Sequence, residues 1–175
     1  MENKKLTISE RLLAALGAFL AENRLPLLCA FITGLIAHGY AFTNKLVNHD
    51  EIESLFGKGA TITSGRWGLE LVKVLFPDWS MPWIYGLVSI LLISLAVCLA
   101  IKILAIRSRP MQALVAMLVL SFPTLTGNFC FMFASSAYAL SFLLAVLSVH
   151  LYLKGGRLKT ALSVISLIFA LSMYQ

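Results

Sequence analysis

Residues 111 to 153 read MQALVAMLVLSFPTLTGNFCFMFASSAYALSFLLAVLSVHLYL. The stretch is apolar throughout and too long for one membrane crossing. A helix rises about 1.5 Å per residue, so about 20 residues span a hydrocarbon core of about 30 Å. Its strong breaker signals lie together in Phe122-Pro123-Thr124-Leu125-Thr126-Gly127-Asn128. Division there predicts one span over about 111–125 and another over about 129–153. The first is short, so a kinked or partly re-entrant helix pair is the alternative. Irregular backbone at membrane depth is tolerated where protein or water covers it.

The same reading extends to the whole chain. Of its 175 residues 59% are hydrophobic and 13% charged, against about 25% charged in soluble domains. Mean hydropathy is +0.88. A span over 25–42 opens on Pro26, where a missing N–H costs nothing. Another over 81–104 has Trp79, Trp83 and Tyr85 as interfacial anchors at its start. Residues 160–175 begin a further apolar segment, and the sequence reads as cut off in mid-helix. The predicted fold is all-α: a multi-span helical integral membrane protein with a long outer loop, 43–80, that contains short amphipathic helices.

Residues 1–24 form a separate element. Thr7 and Glu10 match a capping box, and Ile8, Leu12, Leu16, Phe19 and Leu20 recur at helical spacing. This predicts an amphipathic helix on the cytoplasmic membrane surface, with Lys4, Lys5 and Arg11 among lipid head groups. A signal peptide fits worse, because Glu10 interrupts the apolar region and Phe19-Leu20-Ala21 is a poor cleavage site.

The net charge of +6 does not point to nucleic acid. Lys and Arg crowd the N-terminus and the connections at 102–109 and 154–159, which is how topology is set. The N-terminus then lies in the cytoplasm, and the 43–80 loop and the 122–128 turn lie outside. Cys29, Cys98 and Cys130 all fall in apolar segments and read as small buried residues, without zinc spacing.

The outer loop holds the chemistry. Residues 48–67 read NHDEIESLFGKGATITSGRW, and no Asp or Glu follows Asp78. Asn48 to Phe56 predicts a short helix capped by Asn48 and ended by Gly57. Asp50, Glu51 and Glu53 would then favour its positive end by about 0.3–1 kcal/mol each. Arg66 to Phe76 predicts a second helix on the outer surface. Arg66, Glu70 and Lys73 form its polar stripe, and Trp67, Leu71, Val72 and Leu75 its apolar one. His49 beside Asp50 and Glu53 can ligate a divalent cation, although a lone His among acids more often holds none. His38 reads as a hydrogen-bonded interfacial residue or a catalytic one, and His150 as structural. Ser135 and Ser136 suit close helix packing.

Asp50-Glu51, Phe56-Gly57, Ser64-Gly65-Arg66-Trp67-Gly68 and Ser172-Met173-Tyr174-Gln175 together resemble a known family. It is that of the polytopic bacterial and phage O-antigen glucosyltransferases, within the GT-C class of membrane glycosyltransferases. The resemblance implies transfer of a sugar, glucose by this family, from a polyprenyl-phosphate donor to a cell-envelope glycan in the bacterial cytoplasmic membrane. A carboxylate of the first outer loop would be the general base, here Asp50 with Glu51 as partner or alternative. The acidic pair is Asp-Glu where a double Asp is commoner, which leaves the choice between the two open. Arg66 would neutralise the lipid phosphate or serve as a snorkelling interfacial charge. Trp67, Glu53 and His49 complete the substrate-binding candidates. The partners implied are the lipid-linked donor, the glycan acceptor and membrane lipids. Members of the family are longer, so the chain reads as an N-terminal portion. Rival readings are a transport or accessory protein, disfavoured by spans with few ionisable groups, and an inactive truncated product.

Overall fold

The computed structural model describes residues 7–44, 50, 64–75 and 81–174. Among them there are helices and no strands: α1 (Ile8–Glu22), α2 (Arg24–Thr43), α3 (Trp67–Val72), α4 (Pro82–Ile103), α5 (Arg109–Leu120), α6 (Pro123–Cys130), α7 (Met132–Leu153) and α8 (Arg157–Met173). The chain is an all-α multi-span membrane protein. α2, α4 and α7 are each long and apolar enough to cross a bilayer, and α5 with α6 adds a fourth crossing if the bent pair is one span. α8 is a shorter apolar helix of 17 residues.

α1 starts as its sequence dictates. The Glu10 amide donates to Thr7 Oγ1 at 3.3 Å and the Thr7 amide to Glu10 Oε2 at 2.8 Å, so each side chain satisfies a free donor of the first turn. That bond holds the Glu10 carboxyl below the usual carboxylate range. Leu13 and Leu16 remain exposed. The side chains of Ile8 and Leu12 lie outside the described residues.

The bundle is ordered α5, α2, α4, α7, α8, each packed on the next. α2 buries Pro26, Ala30, Gly34, His38 and Phe42, one residue in every four. This row is a single ridge of the helix surface, and small residues in it bring the neighbours close. A β-carbon at Gly34 would lie 2.9 Å from Ile90 Cγ2 and 3.1 Å from Leu120 Cδ1, so α4 and α5 both close on that position. Serines join the next pairs. Ser89 Oγ donates to the Tyr85 carbonyl at 2.6 Å and lies 3.2 Å from Ser135 Oγ, and Ser136 Oγ donates to the Tyr85 carbonyl at 3.3 Å. Ser141 Oγ donates to the Ala170 carbonyl at 2.8 Å, and Ser163 Oγ to that of Ser148 at 2.8 Å.

The 111–153 stretch divides into three helices rather than two. α5 ends at Leu120, and Phe122 turns extended (φ −67°, ψ 130°) because the residue before a proline avoids the helical region. Pro123 then opens α6, bent 43° from α5. A second break falls at Phe131 (φ −104°, ψ 58°), just after the weak helix formers Gly127 and Asn128. His38 bridges the first break. Its Nε2 lies 2.8 Å from the Leu120 carbonyl, which Pro123 and the bend deprive of helical partners, and its ring is 4.7 Å from that of Phe129. With 4% of its surface exposed, His38 is a buried structural residue rather than a reactive one.

The bundle has two unlike ends. At one, Lys102 Nζ donates to Glu22 Oε2 at 2.7 Å, and Arg109 Nη1 reaches the Glu22 carbonyl at 3.4 Å. The turn through Gly155 (φ 65°) and Gly156 (φ 93°) into α8 lies at this basic end. The other end carries α3, the α5–α6 break and the close of α8. All three cysteines are free thiols, Cys98 buried and the others half-buried.

Candidate functional site

Ser64 and Gly65 make a turn whose second residue has φ 79°, in the left-handed region that favours glycine. The turn delivers Arg66 to the start of α3. The Leu69 amide donates to the Arg66 carbonyl at 3.0 Å, and Lys73 Nζ to Glu70 Oε1 at 2.8 Å.

The second loop helix is shorter than the sequence predicts. It stops at Val72 instead of Phe76, in a turn where the Leu75 amide reaches back to the Val72 carbonyl at 2.9 Å. Its apolar face also divides. Gly68, Leu69 and Val72 turn into the protein, while Trp67, Leu71 and Leu75 are exposed. The reason is Gly68, which has no side chain to keep α3 off α8. A β-carbon there would meet the Ser172 hydroxyl and stand 3.0 Å from both the Ser172 carbonyl carbon and Met173 Cγ.

This contact joins two parts of the chain that lie far apart in sequence. Ser64–Gly68 and Ser172–Tyr174 become one surface. Leu69, Val72, Ala137 and Met173 fill it, with Tyr138 and Phe169 packed against them. Trp67 meets Phe169 edge-on at 5.6 Å between ring centroids, and Tyr138 meets Tyr174 edge-on at 5.1 Å and 83°. Tyr138 is half-buried near the first turns of α7, within reach of the charges of Arg66 and Asp50. Asp50 is helical and exposed.

Residues 39–175 match the family described as glucosyl transferase GtrII. The chain belongs to that family. No curated protein and no solved structure matches it. The region shared with GtrII glucosyl transferases starts at Gly39, near the C-terminal end of α2, and so contains the entire surface built by α3, α7 and α8.

Of the site residues read from the sequence, Arg66 opens α3, whose Leu69 and Val72 pack in one cluster with Tyr138 and Phe169, and Trp67 meets Phe169. Glu51, Glu53 and His49 lie outside the described residues. Among the described residues no three His, Cys, Asp or Glu side chains gather as metal ligands. Tyr138 and Gly68 are the residues that sequence reasoning missed. Gly68 belongs to the SGRWG string, but nothing in the string says that it is a contact point. Tyr138 follows the small residues Ser135, Ser136 and Ala137, and helical periodicity marks it only as one more span residue.

Proposed function

We propose that the chain is a membrane glucosyltransferase, or the N-terminal portion of one. It moves glucose from a polyprenyl-phosphate donor to a cell-envelope glycan in the bacterial cytoplasmic membrane. The observation that carries this reading is the match of residues 39–175 to the GtrII family, supported by the packing of α3, which Arg66 opens, among the rings of Phe169, Tyr138 and Tyr174. The basic connections at the opposite end favour a cytoplasmic N-terminus, which turns this surface outward to the acceptor.

In this mechanism a hydroxyl of the acceptor attacks the anomeric carbon of the glucosyl unit. The bond from that carbon to the phosphate oxygen breaks, and its electron pair leaves with polyprenyl phosphate. Asp50 takes the hydroxyl proton, with Glu51 as the alternative base. Arg66 balances the charge that gathers on the departing phosphate, which a guanidinium fork matches in geometry. Trp67, Glu53 and His49 complete the candidate substrate contacts.

Transfer from polyprenyl-phosphate glucose in bacterial membranes tests this. Asp50→Asn should lower it by about 10²–10⁴-fold, the usual worth of a general base, while the protein remains in the membrane. Glu51→Gln with the larger loss would move the role to Glu51. Undiminished transfer in both variants would remove the loop carboxylates from the chemistry.

A further inference from the structure

The surface around Asp50 and Arg66 contains a phenol that the proposed chemistry does not yet use. Tyr138 is half-buried, and its ring packs against the α3–α8 cluster and meets Tyr174 edge-to-face at 5.1 Å between centroids. Among the described residues nothing exchanges a hydrogen bond with that hydroxyl, whereas Ser135, Ser136 and Ser141 on the same helix all have partners. Arg66 stands at the start of α3, whose Leu69 and Val72 pack in the same cluster as Tyr138.

From this placement we infer that Tyr138 is a substrate-binding residue whose hydroxyl donates to the phosphate of the lipid-linked donor, beside Arg66, with Tyr174 holding its ring in position. A phosphate oxygen accepts several donors at once, and a fixed phenol next to a guanidinium supplies a second direction that the guanidinium alone does not. The ring's depth in α7 also suits a phosphate whose polyprenyl chain stays in the bilayer, because an amphipathic tyrosine sits where hydrocarbon meets water. The inference rests on the glucosyl-transfer reading and adds a phosphate contact to it.

Two measurements separate the inference from that reading. The first is transfer kinetics with polyprenyl-phosphate glucose varied. The second is direct binding of polyprenyl phosphate to the purified full chain, which needs no turnover. Tyr138→Phe keeps the ring and the packing and removes only the donor. It should raise the KM for the lipid-linked sugar by about tenfold and weaken polyprenyl-phosphate binding by the same factor, with kcat little changed. Tyr174→Ala should move both quantities in the same direction and by less. Tyr152→Phe, exposed at the basic end of α7, should leave both unchanged. Unaltered polyprenyl-phosphate binding in Tyr138→Phe would overturn the inference, whether or not its KM rises. If the unaltered chain binds polyprenyl phosphate but transfers no glucose, the glucosyl-transfer reading fails while the phosphate contact stands.

Discussion

The two ends of the bundle handle charge in opposite ways. At the basic end Lys102 is spent on Glu22, and Arg109 lies across the carbonyl that closes α1. These contacts tie the N-terminal helix to the α4–α5 connection. At the other end Arg66 opens α3 on a surface made of aromatic edges, where Tyr138 has no hydrogen-bond partner among the described residues. Charges that pair exposed connections hold topology. Arg66 instead opens a helix that packs among aromatic rings.

The strongest way to break this contrast is at Gly68, which the chemistry does not touch. Gly68→Leu puts a side chain where the Ser172 backbone and Met173 already lie, so α3 must lift from α8 and carry Arg66 away from Tyr138. Misplacing a binding group by an ångström can cost on the order of 100-fold. Glucosyl transfer should fall by about that factor, with helical content by circular dichroism preserved. Normal transfer in this variant would show that the α3–α8 contact does not organise the site.

A smaller effect is expected away from both ends. His38→Phe fills the same space beside Phe129 but leaves the Leu120 carbonyl without its donor, which costs about 1–3 kcal/mol for a buried acceptor. Thermal unfolding in detergent should show the loss. An unchanged midpoint would mean that the α5–α6 break finds another partner.

The smallest effect belongs to the basic end. The hydrogen bond from Lys102, followed by its charge, holds the Glu22 carboxyl below its ordinary range. The lowered value means that this tie contributes fully above the ordinary glutamate pKa of about 4.3 and is lost as pH falls through the lowered one. Glu22 is exposed, so Glu22→Gln should change the unfolding midpoint only slightly at pH 7, and the difference from the parent chain should shrink as the pH falls through the lowered value. A difference that grows on acidification would contradict the pairing.

Much of the fold was legible because the bilayer imposes simple rules. Run length and basic clusters mark helical spans, Thr7 with Glu10 marks the start of α1, and Pro123 marks the bend. The second break at Phe131 was not legible, since Gly127 and Asn128 weaken a helix without saying where it stops. The end of α3 at Val72 was missed for another reason. The amphipathic pattern runs on to Phe76, but the helix packs only where Gly68, Leu69 and Val72 meet α8.

The candidate site divides in the same manner. The acidic pair, the SGRWG string and the SMYQ string are visible as residues, and their resemblance to a glucosyltransferase family is borne out by the match over residues 39–175. Composition and local pattern therefore determined the class of protein, its helices and its family, because hydrophobic length and short motifs are properties of neighbouring residues. Only the tertiary structure decided that Gly68 rests on Ser172 and that Tyr138 packs against Tyr174 and the α3–α8 cluster. Those contacts depend on how close three helices can approach, and that distance is set by side-chain volumes on separate elements.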